Sequence, residues 1–153
     1  MKLIVAFLAL LAAHAPALAA DVKLKSQIFV ERVQKDSQGN SKTVLEAPDM
    51  VVPGDKMVFV LTYKNEGSKA VTDFFIDNPI PAAVSFAGTD SKEAVMSVDG
   101  GKSWGKLGAL KVTQPGGAAR AAVAADVTHV KWQFAKPLPA GAEGKVEFRA
   151  VVK

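Results

Sequence analysis

The feature that most constrains the fold of this chain is a period-two alternation of side chains that restarts after each group of turn residues. It is clearest at residues 56–64, where both alternating sets are largely apolar: Met57, Phe59, Leu61 and Tyr63 in one set, and Val58, Val60 and Thr62 in the other. Such alternation is typical of β-strands, whose successive side chains point to opposite faces of a sheet. Because both faces of this segment are apolar, we expect it at the centre of its sheet.

Further segments show shorter versions of the pattern, separated by residues that favour turns. They are residues 23–34, 42–46, 71–77, 84–86, 94–98, 107–112, 129–134 and 145–152. Pro79 and Pro81 follow one of these segments and, lacking an N–H group, are expected to stop its hydrogen-bond ladder. Short strands at a spacing of about 8–12 residues predict one all-β sandwich of about seven to nine antiparallel strands.

The expected core consists of apolar residues from these strands, together with one face of the segment 56–64. The strand residues are Ile28, Val30, Val60, Ile76, Val84, Phe86, Trp132, Phe134, Val146 and Phe148. The pattern does not decide which face of 56–64 points inward, so Phe59 and Tyr63 remain equal candidates. The Ala-rich segment from Gly116 to Asp126 is interpreted as a surface loop with one helical turn.

The first 19 residues have the features of a secretory signal peptide. A positive start at Lys2 precedes an apolar run over residues 3–13 and the small-x-small sequence Ala17-Leu18-Ala19. The run is shorter than the roughly 20 residues that a transmembrane helix needs. We therefore expect cleavage after residue 19 and a domain of residues 20–153 that is exported to the periplasm or secreted, without membrane insertion.

Composition excludes several kinds of chemistry. The 153 residues include no cysteine, which removes disulfides, zinc-thiolate sites, iron–sulfur clusters and cysteine nucleophiles. The net charge of +4 includes Lys2, which leaves with the signal peptide. The lysines are spread along the chain and there are only three arginines, so no basic cluster suited to nucleic acid is visible. We expect a solvated basic surface and no nucleic-acid partner.

An ordered series of turns and strands covers most of residues 50–152. The series comprises Pro53-Gly54-Asp55, the strand to Asn65-Glu66-Gly67, residues 71–77, Pro79-Ile80-Pro81, Val84-Ser85-Phe86, residues 130–134, Leu138-Pro139-Ala140-Gly141 and residues 146–149. It resembles the bacterial conserved-repeat domain known as domain of unknown function eleven. The additional proline at 79 and the loop 116–126 depart from that family's pattern. The resemblance implies an immunoglobulin-like β-sandwich, here in a single copy, and supplies no catalytic residues.

One local motif is sharper than the rest. Residues 97–104 match the Asp-box pattern Ser-x-Asp-x-Gly-x-Ser-Trp. We expect a hairpin turn in which Asp99 accepts backbone N–H groups, Gly101 has a positive φ and Trp104 packs back onto the hairpin. A single copy cannot build a propeller, so a structural role is favoured over cation or sugar binding. One alternative stays open, a calcium ion held by acidic loop residues: Asp90, Glu93 and Asp99.

The sequence identifies no catalytic, cofactor-binding or metal-ligating residue. His129 lies in an alternating segment, where a surface or hydrogen-bonded histidine is more expected than a general base. Asp73 and Asp77 share a parity about 13 Å apart along a strand, which is too far for a glycosidase pair. We therefore predict that the protein is not an enzyme and uses no cofactor.

Two functions of different classes are compatible with these observations. The first is a non-enzymatic Ig-like module of the bacterial cell envelope that binds an unidentified protein or glycan through a sheet edge or a loop cluster. The alternative is a small periplasmic carbohydrate-binding or hydrolase-accessory domain, which needs an exposed aromatic platform. Trp104 beside Phe74 or Phe75 along a groove would favour the alternative, whereas burial of both Trp104 and Trp132 would remove it.

Overall fold

The structure, a computed structural model, describes residues 21–153. The predicted signal peptide, residues 1–19, lies outside the described residues. The described chain forms ten strands: β1 Val22–Lys35, β2 Ser41–Glu46, β3 Lys56–Asn65, β4 Phe75–Pro79, β5 Val84–Gly88, β6 Ala94–Ser97, β7 Lys111–Thr113, β8 Ala119–Ala121, β9 His129–Gln133 and β10 Glu143–Val152. Every pair is antiparallel. The all-β class is confirmed, with one strand more than the upper expected count.

Two of the sheets contain most of the strands. The larger sheet has the order β2-β1-β3-β10-β5, and the smaller sheet has the order β4-β9-β6. The strand β3 lies at the centre of the larger sheet, and β1 and β10 pair with it along almost its full length. This is the central position that its two apolar faces predict. A third, two-stranded sheet consists of β7 and β8.

One apolar core contains side chains from both main sheets. Trp132 of β9 and Phe148 of β10 are 1% and 0% exposed, and their ring centroids lie 6.4 Å apart. The face of β3 that joins this core carries Met57, Phe59 and Leu61, with Tyr63 packed at its margin. The structure therefore decides the question that alternation left open, and Val60 lies on the opposite face.

Most of the expected core residues are buried, with three exceptions. Ile28 is 41% exposed, so its predicted place in the core is wrong. Val60 lies half-buried on the face of β3 opposite the shared core, and Phe134 is half-buried at the margin of the core. The buried residues that were expected are Val30, Ile76, Val84, Phe86, Trp132, Val146 and Phe148.

Three predicted segments differ from the structure in detail. The segment 107–112 divides into a 3₁₀ turn, Leu107–Ala109, and β7. The loop 116–126 contains the predicted helical turn, as 3₁₀ residues Ala124–Asp126, but also β8, which the alanine-rich composition hid. The strand expected at 71–77 begins only at Phe75 and runs through Pro79, which occupies the last position of the ladder. In residues 21–153, no helix has the length and apolar character needed to cross a membrane.

Candidate functional site

The Asp-box segment forms the turn that its sequence predicts. The Asp99 carboxylate accepts the N–H groups of Lys102 and Ser103 at 3.1 and 3.0 Å and the Ser103 hydroxyl at 2.6 Å. Gly101 has a φ of 85°, and two backbone hydrogen bonds join Met96 to Gly105 to close the hairpin. Donors converging on the carboxylate, those of Ser103 first, hold the pKa of Asp99 well below its ordinary value of 3.8.

Replacing Asp99 with asparagine is expected to lower Tm by a few degrees at neutral pH, because an amide cannot accept the Ser103 and Lys102 donors in the same way. A carboxylate whose folded pKa is depressed stabilises the protein above the unfolded pKa and loses that contribution as pH falls through the folded pKa. The difference in Tm between wild type and D99N should therefore shrink below pH 3.8.

Thermal unfolding of both proteins at neutral and acidic pH measures this difference. The matched control is Asp77→Asn, because Asp77 is an exposed carboxylate in β4, outside the Asp-box turn. A difference for D99N that stays constant across the pH range would contradict the proposed role of the carboxylate.

Ser97, Asp99 and His129 meet at one end of the smaller sheet, but not in the order that nucleophilic catalysis requires. The Ser97 hydroxyl donates directly to Asp99 at 2.7 Å and is fully buried. His129 pairs with Ser97 in the strand register, yet its Nδ1 lies 3.1 Å from the Thr128 hydroxyl. In a catalytic triad the histidine lies between the nucleophile and the carboxylate, whereas here the Ser97 hydroxyl bonds to the Asp99 carboxylate directly. The hydrogen bonds of Ser97 and Asp99 therefore stabilise the turn.

The outer face of the smaller sheet carries a lysine between two aromatic rings. The Lys131 ammonium lies 3.7 Å from the centroid of the Trp104 ring and 5.4 Å from that of Phe75. Trp104 is half-buried and Phe75 is 55% exposed, whereas Trp132 is buried. Trp104 and Phe75 therefore lie on the same face of the sheet, as a carbohydrate-binding platform requires. However, the Lys131 ammonium occupies the space over the Trp104 ring where a sugar ring would stack.

A cleft lies at the other end of the smaller sheet. Three adjoining cavities of about 270, 440 and 720 Å³ all include Glu93 and Phe134 in their lining. Asp73 and Gln133 also line the largest of them. Asp73 has a φ of 53°, a left-handed conformation, and precedes β4, so the strand parity that was expected to relate it to Asp77 does not apply.

The carboxylates proposed as calcium ligands do not assemble into a site. Asp90 forms an ion pair with Arg149 at 2.9 Å, and Asp99 is occupied by its own turn. Among residues 21–153, no group of three or more histidines or carboxylates is arranged to hold a metal ion. The described residues therefore offer this alternative no support.

The first half of β1 has one unpaired edge. The strand β2 pairs with β1 only from Val30 to Lys35, so residues 22–29 have β3 as their only partner in the described chain. A hydrogen bond from Glu66 N to Asp21 O shows that odd-numbered residues bond to β3. The N–H and C=O groups of the intervening residues point the other way: Val22, Leu24, Ser26 and Ile28. We call these four residues the open edge.

Side chains of the open edge also lie uncovered on the face that β1 shares with the core. Leu24 and Ile28 are 51% and 41% exposed, although their register partners Tyr63 and Phe59 belong to the core face. A groove of about 390 Å³ beside Leu24 is lined by Val22 and Leu24 of β1 and by residues 71 and 74–77 next to and in β4. Among the described residues β4 is the last strand of its sheet, so its outer edge, the open edge of β1 and exposed apolar side chains adjoin one groove.

The sequence interpretation missed this feature, although one signal for it is present. The turn at Asp36 to Asn40 fixes the β1–β2 register, and Pro48 follows closely after the end of β2 at Glu46. Because proline cannot donate to a ladder, β2 must stop about halfway along β1. Counting residues on the two sides of the turn would have predicted the unpaired segment.

Comparisons of the chain with protein-family models, with curated proteins and with solved structures found no match.

Proposed function

We propose that this protein is an exported, non-enzymatic Ig-like module of the bacterial cell envelope that binds another macromolecule through the open edge of β1. Support for the Ig-like part comes from two antiparallel sheets that share one core, and from the ordered turns that resemble the conserved-repeat family. Export rests on the signal-like residues 1–19. The arrangement of Ser97, Asp99 and His129 supports a role without catalysis.

The observation that carries a binding function is the open edge itself. Soluble β-proteins usually protect a free strand edge by covering it, shortening it or charging it. Here Lys23 and Lys25 charge only the outer face of the segment. On the other face Leu24 and Ile28 of the open edge are both more than two-fifths exposed, and Phe75 lines the adjoining groove. Addition of a strand from a partner satisfies such backbone groups and buries such side chains together.

Affinity capture tests this function. The protein purified from cells that express the full chain, incubated with an envelope extract of the same cells, should retain one stoichiometric partner. The double substitution Leu24→Ser and Ile28→Ser should lower retention at least tenfold, because it removes the apolar surface that the partner covers. The matched control is Val33→Ser, which changes an apolar residue of the same strand that is 70% exposed away from the open edge.

Two outcomes would contradict the proposal. Equal retention by wild type and the double variant would place the partner elsewhere on the protein. Retention of no partner, together with specific binding to a glycan array, would favour the second candidate function.

The second candidate is a carbohydrate-binding or hydrolase-accessory domain, and the cleft at Glu93 and Phe134 favours it. Asp73, Glu93 and Gln133, which carry carboxylate and amide groups, line the same space as Phe134. Polar acceptors beside an aromatic ring suit the hydroxyl groups and apolar faces of sugars. This site uses neither tryptophan, so it differs from the aromatic platform expected from the sequence.

A further inference from the structure

We propose that the occupant of the open edge is an extended peptide strand in which apolar residues alternate with acidic residues. This inference rests on the proposed function and specifies the chemistry of its partner. Three observations support it: the direction of the free backbone groups, the two faces of β1 beside them, and the charge on the outer face.

The backbone of the open edge accepts a strand in line with β2. Even-numbered residues of β1 bond to β2 in the second half of the strand, as the hydrogen bond from Asp36 N to Asn40 O at its end shows. The same parity continues through Val22, Leu24, Ser26 and Ile28, whose N–H and C=O groups point to the same side. A strand of about seven residues therefore continues the line of β2 and pairs with these groups.

The core-facing side of the added strand must be apolar. Its inward side chains would lie beside Leu24 and Ile28 and over the groove that reaches Phe75. The smaller sheet ends at β4, and the described residues leave Leu24 and Ile28 only partly covered. Apolar residues at every second position of the partner strand would cover it.

The outer side of the added strand must be acidic. Lys23 and Lys25 are exposed on the outer face of the same segment, and Lys25 has no carboxylate within 4 Å among the described residues. Lys23 has one partner, Glu66, at 3.7 Å, with both side chains largely exposed. Opposite charges at adjacent cross-strand positions stabilise a pair, whereas like charges destabilise it. The lysines therefore favour an acidic partner and disfavour pairing with the same edge of a second copy.

Binding of two synthetic peptides tests the inference. One nine-residue peptide alternates valine with glutamate, and the other alternates valine with lysine. We expect the glutamate peptide to bind the protein purified from cells that express the full chain at least tenfold more tightly than the lysine peptide, as measured by isothermal titration at low salt. The double substitution Lys23→Glu and Lys25→Glu should reverse this order, because it reverses the charge beside the added strand.

A proline variant separates strand addition from simple charge attraction. The Ser26 N–H points away from β3, so Ser26→Pro keeps every internal ladder bond while removing one donor and blocking the edge. We expect S26P to lose binding of the glutamate peptide at least tenfold, with Ser26→Ala as the control that retains it. Hydrogen exchange should show that the peptide slows the amides of Leu24, Ser26 and Ile28 selectively.

The outcomes separate this inference from the proposed function. Equal affinity for both peptides, unchanged binding by S26P, or a concentration-dependent dimer of the free protein that S26P abolishes would each overturn the acidic-strand inference. If one of these results is obtained but the double variant Leu24→Ser, Ile28→Ser still loses envelope capture, the open edge binds a partner other than an acidic strand and the proposed function is retained. If capture is also unaffected by that variant, both fail.

Discussion

Replacing Phe148 with alanine is expected to lower the free energy of unfolding by about 3–5 kcal/mol. Phe148 is fully buried, and its ring stacks on Phe59 with centroids 4.6 Å apart and planes 6° apart. Phe86 and Trp132 approach the same ring at 6.2 and 6.4 Å. Trp132 belongs to the smaller sheet, so the substitution removes a contact between sheets and leaves a cavity that rigid rings cannot readily fill.

Equilibrium unfolding in urea measures the loss, with far-UV and fluorescence signals compared to verify a single transition. Phe148→Leu should cost less than the alanine variant because it retains most of the volume. The exposed control Phe75→Ala should cost about 1 kcal/mol at most, since more than half of that ring is already in water. A loss for F148A no larger than that of F75A would show that Phe148 is not central to the core.

Replacing Asn65 with alanine is expected to cost about 3 kcal/mol, because it removes every hydrogen bond of a fully buried amide and deprives the Gly67 N–H and the Lys69 carbonyl of their Asn65 partner. Asn65 is fully buried at the end of β3. Its Nδ2 donates to the carbonyls of Lys69, Leu138 and Pro139 at 2.8, 3.0 and 3.1 Å, and its Oδ1 accepts the Gly67 N–H at 3.0 Å. One amide therefore ties together two turns that are about 70 residues apart in the chain.

Asn65→Asp adds a pH dependence that a purely steric loss would lack. A carboxylate facing three carbonyl oxygens is disfavoured, so its folded pKa should lie above the unfolded value of about 3.9. The protein then binds more protons when folded, and the cost of the substitution grows as pH rises from about 4 to 7. Urea unfolding of N65D and N65A across this range measures it.

The loss in N65A should stay nearly constant over the same pH range. The exposed control Asn40→Ala removes a single side-chain donor to Asp36 and should cost far less than N65A. If the stability loss of N65D does not depend on pH, or if N65A is as stable as the Asn40 variant, then Asn65 does not link the two turns as described.

For Asn65 the sequence predicts the local turn but not the contacts with distant residues. The series Asn65-Glu66-Gly67 predicts that a strand ends there, and β3 does end at Asn65. That Asn65 also holds the carbonyls of Leu138 and Pro139 depends on β3 and β10 being neighbours, which alternation along one segment does not specify. Asp55 is a second example: the sequence predicts it only as a turn residue, whereas in the structure it forms a bidentate ion pair with Arg32 at 2.7 and 3.1 Å.

The sequence by itself determined the all-β class, most strand positions and the Asp-box turn, because alternation, proline, glycine and short polar side chains act on the backbone within a few residues. Only the tertiary structure decided that Phe59 is buried in the core, that Ile28 on the same sheet face stays exposed, and that one edge of β1 is unpaired among the described residues. These outcomes depend on which distant strands pair and how far each sheet extends over the other. Alternation along a segment shows which side chains share a face of the strand. Whether that face is covered depends on strands elsewhere in the chain.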